Sequence, residues 1–483
     1  MVETLRSGSG WVLLCALAGA PLAWAGTRPV ALTGLTALVA IGGSMWAVSA
    51  LLIRPSLPAW PLVGAALVAA VAVSWCFLPT VPLPEFTVRH LARVSARWPG
   101  SMIPREPGAL ITWAAASVLA FLALLDLVRE RLWRVRTAVV IAATGIAVAI
   151  LGLVQNASHA RGIFWEHAPR GPTTFFGTFY HHTSAGAYLN CIWPTALGTA
   201  LLLLQAPASR ARLAAGALLV GTVIVLAAHA GHISRFPQVV AAVFIGVTTF
   251  WIRPWRFASS ISWLRPAPLA TVALLAVAAV SIVMHTGRTE IIRDRWASLE
   301  WRKLIGGGTP VPPAAPAAWP ALMRADLFVA SDHRQYPLGD RGAAYATAVQ
   351  AIGERPWLGW GPGGWIAAAA ACSVDPFVRT FFQMLQFTHQ DYLQAAVEWG
   401  LLGALGWALL VPASVILALR TLRSRPERDW ISAGATLALG AVLTQSLIDF
   451  PLQIPALQLT ALALAALAWT SSLAPARSFS QST

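Results

Sequence analysis

The residues best suited to chemistry are His389, Gln390, Asp391 and Tyr392, inside FTHQDYLQAAVEWGLLG at Phe387–Gly403. They fall where a long hydrophilic segment runs into an apolar one that continues through Leu410 to Leu419. That boundary places His389 and Gln390 at the mouth of a membrane helix. An imidazole there can exchange protons with water while touching a lipid-borne substrate. The same residues would also suit a helix cap that simply ends the loop.

Arg235, in HISRFPQ, sits in a very short connection between two apolar runs. An arginine drawn toward hydrocarbon without a partner costs about 2–3 kcal/mol, so such residues usually face a watery cavity. A guanidinium there can clamp phosphate oxygens in bidentate fashion, or it can snorkel to the headgroups. Arg341, in GDRGAAYATAV, opens a helical stretch of a long polar segment and is a second candidate, with a solvated charge or an Asp340 ion pair as the alternative. His181 and His182, in FFGTFYHHTSAGAYLN, are placed to bind substrate. With His159 and His167 they match no metal-ligand spacing. The GWGPGG stretch at Gly359–Gly364 is expected to be a tight turn, although its backbone N–H groups could meet an anion. Asp449, in LIDFPLQIP, is expected to make a helix-end hydrogen bond against the break at Pro451. The loops expected to share this face hold only scattered acids, such as Asp294 and Glu300. A cation-dependent lipid-phosphate enzyme would need carboxylates to hold its metal. There is no P-loop and no GxSxG.

The elements that must position these residues are membrane helices. The chain has 483 residues, 57% apolar and 11% charged, against about 25% charged in soluble proteins. Apolar runs of membrane-spanning length recur from end to end and are continuous rather than alternating, which selects helices over a β-barrel. Many of the 23 Trp flank those runs, as an interfacial belt would. The net charge of +15 comes from arginines clustered in short loops, a topology signal rather than a nucleic-acid surface. The four Cys show no metal spacing, and a disulfide framework is not expected.

Twelve spans are predicted: 11–25, 30–53, 60–79, 108–128, 137–154, 183–204, 213–231, 236–252, 267–286, 391–419, 431–448 and 455–472. The first stretch also resembles a signal peptide ending at Ala23-Trp24-Ala25, although a second span follows almost at once. The basic loops at 129–136, 210–212, 253–265 and 420–428 are cytoplasmic by the positive-inside rule, which puts both termini in the cytoplasm. All ten His then fall on the outer side. The predicted organisation is nine spans over 1–286, a large outer loop over 287–390, and three spans with a short tail over 391–483. The centre of the loop, 306–320, is Gly- and Pro-rich and should be irregular.

These residues resemble the bacterial O-antigen ligase family, with its relatives the O-antigen polymerases and protein O-oligosaccharyltransferases. The family signature is His, then Asn, Ser or Gln, nine residues, Gly, two residues, and Gly, Thr or Tyr. His389-Gln390 followed by Gly400-Leu401-Leu402-Gly403 matches it. ERPWLGWGPGGW resembles the stretch ahead of that signature. FFGTFYHHTSAGAYLN resembles an earlier block, with Thr183 where an Asn is common. Ser234-Arg235 resembles a Ser-Arg pair at a short outer connection. The resemblance covers about residues 140–470.

It implies an all-α, GT-C-like membrane enzyme of the bacterial inner membrane that acts at the periplasmic face. Such enzymes take a glycan from an undecaprenyl-diphosphate carrier. They pass it to a sugar hydroxyl, on lipid A core in the ligases or on a growing chain in the polymerases, with no metal or cofactor. On this reading His389 is the general base and Arg235 and Arg341 hold the diphosphate. Gln390, Tyr392, His181 and His182 are further candidate substrate contacts. The contrasting reading is a transporter of a lipid-linked or anionic solute. Internal repeats and broken helices would support it, and neither is visible in the sequence.

Overall fold

A computed structural model of the chain describes residues 1–78, 107–166, 175–252, 340–373, 387–424 and 429–470. The predicted span 267–286, the Gly/Pro-rich stretch 306–320, and His90, His167, His285 and His333 lie outside the described residues.

Among the described residues there are helices and turns but no strand; Phe176 and Phe179 form one isolated bridge. In chain order the helices are α1 (Val2–Leu22), α2 (Pro29–Ile53), α3 (Ala59–Phe77), α4 (Pro107–Leu127), α5 (Arg131–Ala157), α6 (His182–Leu204) and α7 (Ser209–Gly231). They continue as α8 (Arg235–Ile252), α9 (Asp340–Glu354), α10 (Trp365–Cys372), α11 (Asp391–Leu410), α12 (Pro412–Ser424), α13 (Trp430–Gln445) and α14 (Pro455–Trp469). Seven helical stretches are long and apolar enough to cross a membrane, and three shorter apolar helices, in α8, α13 and α14, pack among them. A helix satisfies its own backbone polar groups, so it is the form such apolar segments take in lipid.

The core forms around α14, where Leu457, Leu462, Leu464 and Leu467 alternate with alanines and are almost wholly buried. The alanines let α1, α4, α6 and α13 approach closely. At one end of the bundle charged residues tie helices together. Arg6 donates to Asp126 at 2.9 Å and to Glu130, and Trp46 donates to the same Asp126 oxygen at 3.1 Å. Arg134 pairs with Asp429 at 2.9 Å. The histidine-bearing loops gather elsewhere, around the first turns of α6 and α11.

Two expected boundaries change. The first helix begins at Val2 rather than residue 11. Its early charges look unfavourable for a span, but Asp126 and Glu130 neutralise Arg6. The expected continuous span 391–419 is broken, with Gly400 at φ 63°, ψ 179°. Only glycine adopts that backbone without strain. The groups freed by the break are bonded to the GWGPGG region. Trp360 N donates to Val397 O at 2.7 Å, and Leu401 N donates to Pro356 O at 2.7 Å. A Cβ on Gly400 would strike the Trp357 carbonyl. Gly400→Val is therefore expected to cost about 3 kcal/mol or more. A thermal-unfolding scan in detergent checks this, and a midpoint equal to wild type would contradict it.

Candidate active site

The site is built on the turn after α13. Pro451 cannot extend the helix, so the chain turns through Ile448, Asp449 and Phe450, makes a short 3-10 turn at Pro451–Gln453, and restarts at Pro455, where a proline suits a helix start. Three other segments are fastened to this turn.

The first is the start of α11. Asp391 accepts from Ser446 Oγ and Leu452 N, both at 2.9 Å, and from Gln453 Nε2 at 3.1 Å, while its own N–H donates to Ser446 O at 3.1 Å. These bonds hold the start of α11 in place, two residues after His389. The His389 ring stands edge-on to Phe450, with centroids 4.9 Å apart and planes at 80°. Phe387 stacks on the same Phe450 at 4.5 Å. His389 also has φ 56°, a left-handed conformation that a non-glycine residue adopts only when its surroundings impose it. Gln390 is the N-cap of α11, and its side-chain oxygen accepts from Leu393 N. Tyr392 donates its hydroxyl to Leu443 O at 2.8 Å and joins α11 to α13.

The second segment is α9. Arg341 donates from Nη1 to Ile448 O at 3.0 Å. Four residues along the same helix face, Tyr345 donates its hydroxyl to His389 O at 3.1 Å. One helix thus positions a guanidinium and braces the imidazole-bearing loop. Tyr345→Phe is expected to lower transfer several-fold and to cost about 1 kcal/mol of stability, the worth of one hydrogen bond. Parallel activity and unfolding assays check this; unchanged activity would show that the brace does not matter.

The third segment is the entry to α6. His181 lies 6.1 Å from Phe450, edge-on at 78°. Gln445 Nε2 donates to Thr183 O at 3.0 Å. Asp449 is buried, and burial pushes its carboxyl up from the ordinary value. The Phe450 N–H, the Arg341 charge, Gln445 and Thr183 pull it back.

Arg341, His389 and His181 therefore meet at one turn. Arg235 and His182 are at the neighbouring α6–α8 corner. There α6 and α8 are joined by Asn190 Nδ2 donating to Pro237 O at 3.1 Å. Arg235 opens α8 three residues after His232, whose imidazole is pushed well down, chiefly by burial. Among the described residues no group of three or more His, Cys, Asp or Glu could hold a metal ion.

Phe450 and Tyr345 were not singled out as functional residues by sequence reasoning, and Asp449 was singled out with a helix-end hydrogen bond as the favoured reading. Tyr345 carried a usable signal, since it stands four residues after Arg341 in a helical stretch. Asp449 carried a weaker one, as an acid at an apolar boundary read only as a helix-end bond. Phe450 carried none.

No curated protein matches the chain. Residues 220–408 match the family model described as O-antigen ligase, a stretch that contains Arg235, Arg341, His389 and the Gly400 break but not His181, His182 or Asp449. By that match, and with the His389-to-Gly403 signature standing at the site just described, residues 220–408 are similar to the O-antigen ligase family.

Proposed function

We propose that this protein transfers a glycan from an undecaprenyl-diphosphate carrier to a sugar hydroxyl at the outer face of the bacterial inner membrane, without a metal ion. The family supports a membrane glycan ligase or polymerase role. The observation that carries the finer reading is that His389 and Arg341 reach the same turn, one against Phe450 and the other on Ile448 O.

In this reaction the acceptor hydroxyl oxygen bonds to the anomeric carbon, and the bond from that carbon to the diphosphate oxygen breaks. The hydroxyl proton passes to the His389 imidazole. The departing diphosphate carries negative charge, which Arg341 and Arg235 stabilise where water is scarce. Attack opposite the leaving group inverts the anomeric centre, and retention of configuration would refute this. Asp391 has both carboxylate oxygens engaged by Ser446, Leu452 and Gln453. In this reading arginines, rather than a carboxylate-held cation, supply the positive charge. The membrane layout follows the arginine distribution: nine spans over 1–286, a periplasmic loop over 287–390, three spans over 391–483, and both termini in the cytoplasm.

One observation favours a transporter instead, namely the broken helix at Gly400. Its freed backbone groups are bonded to Pro356 and Trp360, however, rather than turned toward a solute. The test is transfer by purified protein, with EDTA present, from undecaprenyl-diphosphate glycan to candidate acceptors. Carrier release only with lipid A core identifies a ligase. Laddered products identify a polymerase, and label on polypeptide a protein glycosyltransferase. Carrier binding with no transfer to any acceptor would move the assignment to transport.

A further inference from the structure

The corner between α5, α6 and α7 holds polar atoms that the reaction above does not use. His229 is 4% exposed, and neither ring nitrogen has a hydrogen-bond partner. His232 is fully buried, its ring 5.2 Å from that of His229, and its Nε2 is unpartnered. Gln155 is 1% exposed with both amide atoms unpartnered. Its neighbour Asn156 donates to Gly231 O at 3.3 Å, which fixes the end of α5 against the end of α7. One turn before Gln155 on α5, Gly152 lies against Phe176, whose ring is 6.3 Å from that of His232. Residues three apart share a helix face, so Gln155 is on the side of α5 that packs against Phe176.

A buried polar group left unpaired is destabilising, and five such atoms in one corner call for an occupant. The bonding pattern says which kind. Ser234 N–H donates to His232 Nδ1 at 3.0 Å. A ring nitrogen that accepts carries no proton, so His232 is neutral and its Nε2 is a donor. That excludes a metal ion at Nε2, which would need the lone pair there. An anion is disfavoured as well, since a neutral ring brings no charge to meet it. His229 and Gln155 each add a donor and an acceptor. A hydroxyl, which both donates and accepts, fits this set.

We propose that Gln155, His229 and His232 form a subsite for neutral hydroxyl groups, filled by a sugar of the glycan entering past His182. This rests on the glycan-transfer reading. Water offers the same chemistry, and the test separates the two. Full-length protein in nanodiscs is titrated with glucose, galactose and N-acetylglucosamine while its unfolding midpoint is followed. At least one sugar should raise the midpoint in wild type and in His389→Ala, and the rise should be lost in Gln155→Leu and His229→Leu. A rise that survives both replacements is the general stabilisation sugars give by exclusion from protein surfaces, and it overturns the proposal. So does no rise at all, which leaves the corner to water. If the variants do not fold, the imidazole 15N shifts of histidine-labelled wild type take their place: the His232 signals should move with sugar, and unmoved signals overturn the subsite. Transfer without sugar binding would remove the subsite alone. Sugar binding without transfer would remove the glycosyltransferase reading and leave the subsite standing.

Discussion

Replacing His389 by glutamine is expected to slow glycan transfer by about 10²–10⁴-fold, the usual worth of a general base, while carrier binding is retained. Of the two imidazoles at the Phe450 turn, His389 stands nearer the Phe450 ring, at 4.9 Å against 6.1 Å for His181, and an imidazole can accept a hydroxyl proton and pass it to water near neutral pH. Glutamine keeps a side chain that can hydrogen-bond to the acceptor but cannot take the proton. The adjoining bonds are made by Asp391 through its carboxylate, by Gln390 through its capping oxygen, and by Tyr345 on the His389 backbone carbonyl. None of these uses the imidazole; the ring's edge-on contact with Phe450 is what the variant alters in the fold, and an unfolding scan run beside the transfer assay separates that effect from loss of the base. The measurement is single-turnover transfer alongside binding of fluorescent carrier. A loss below fivefold would remove His389 as the base. A large loss accompanied by lost carrier binding would make it a binding residue instead.

How far the sequence led depends on how local each determinant is. The helices were legible because hydrocarbon imposes one requirement on every residue of a span, and a run of apolar side chains shows it directly. His389 and His181 were legible as types, since an imidazole at an apolar boundary needs a reason to be there; Arg341, inside a polar segment, had an ordinary solvated charge as its alternative. Their meeting place was not legible. Arg341 reaches Ile448 and Asp391 reaches Leu452 across long stretches of chain, and such pairings leave no periodic trace. The break in α11 was hidden for the same reason. A lone glycine in an apolar run looks like a tolerated helical residue, and the carbonyl that catches Leu401 N belongs to Pro356. Tyr392 shows the opposite case: it stands beside the signature histidine, but its hydroxyl serves the α13 backbone at Leu443.

Arg341→Ala is expected to lower transfer by about 10²–10³-fold, as loss of a preorganised charge-stabilising group does, and to weaken carrier binding as well. The diphosphate is anionic in the bound carrier and more so as it leaves, so a guanidinium holding it contributes at both stages. The structural share of the residue is separable. Its bond to Ile448 O secures α9 to the turn, and losing a charged hydrogen bond costs about 1–3 kcal/mol of stability. A role confined to that bond would lower the unfolding midpoint and leave KM for the carrier unchanged. Arg341→Lys separates the two further. Lysine keeps the charge and can reach a carbonyl, but it lacks the planar fork that grips two phosphate oxygens. It should therefore recover most of the stability and only part of the transfer rate. Full recovery of both would mean that the position needs a cation near Asp449 and Ile448 and nothing more specific, and the diphosphate grip would then have to be assigned to Arg235 at the α6–α8 corner.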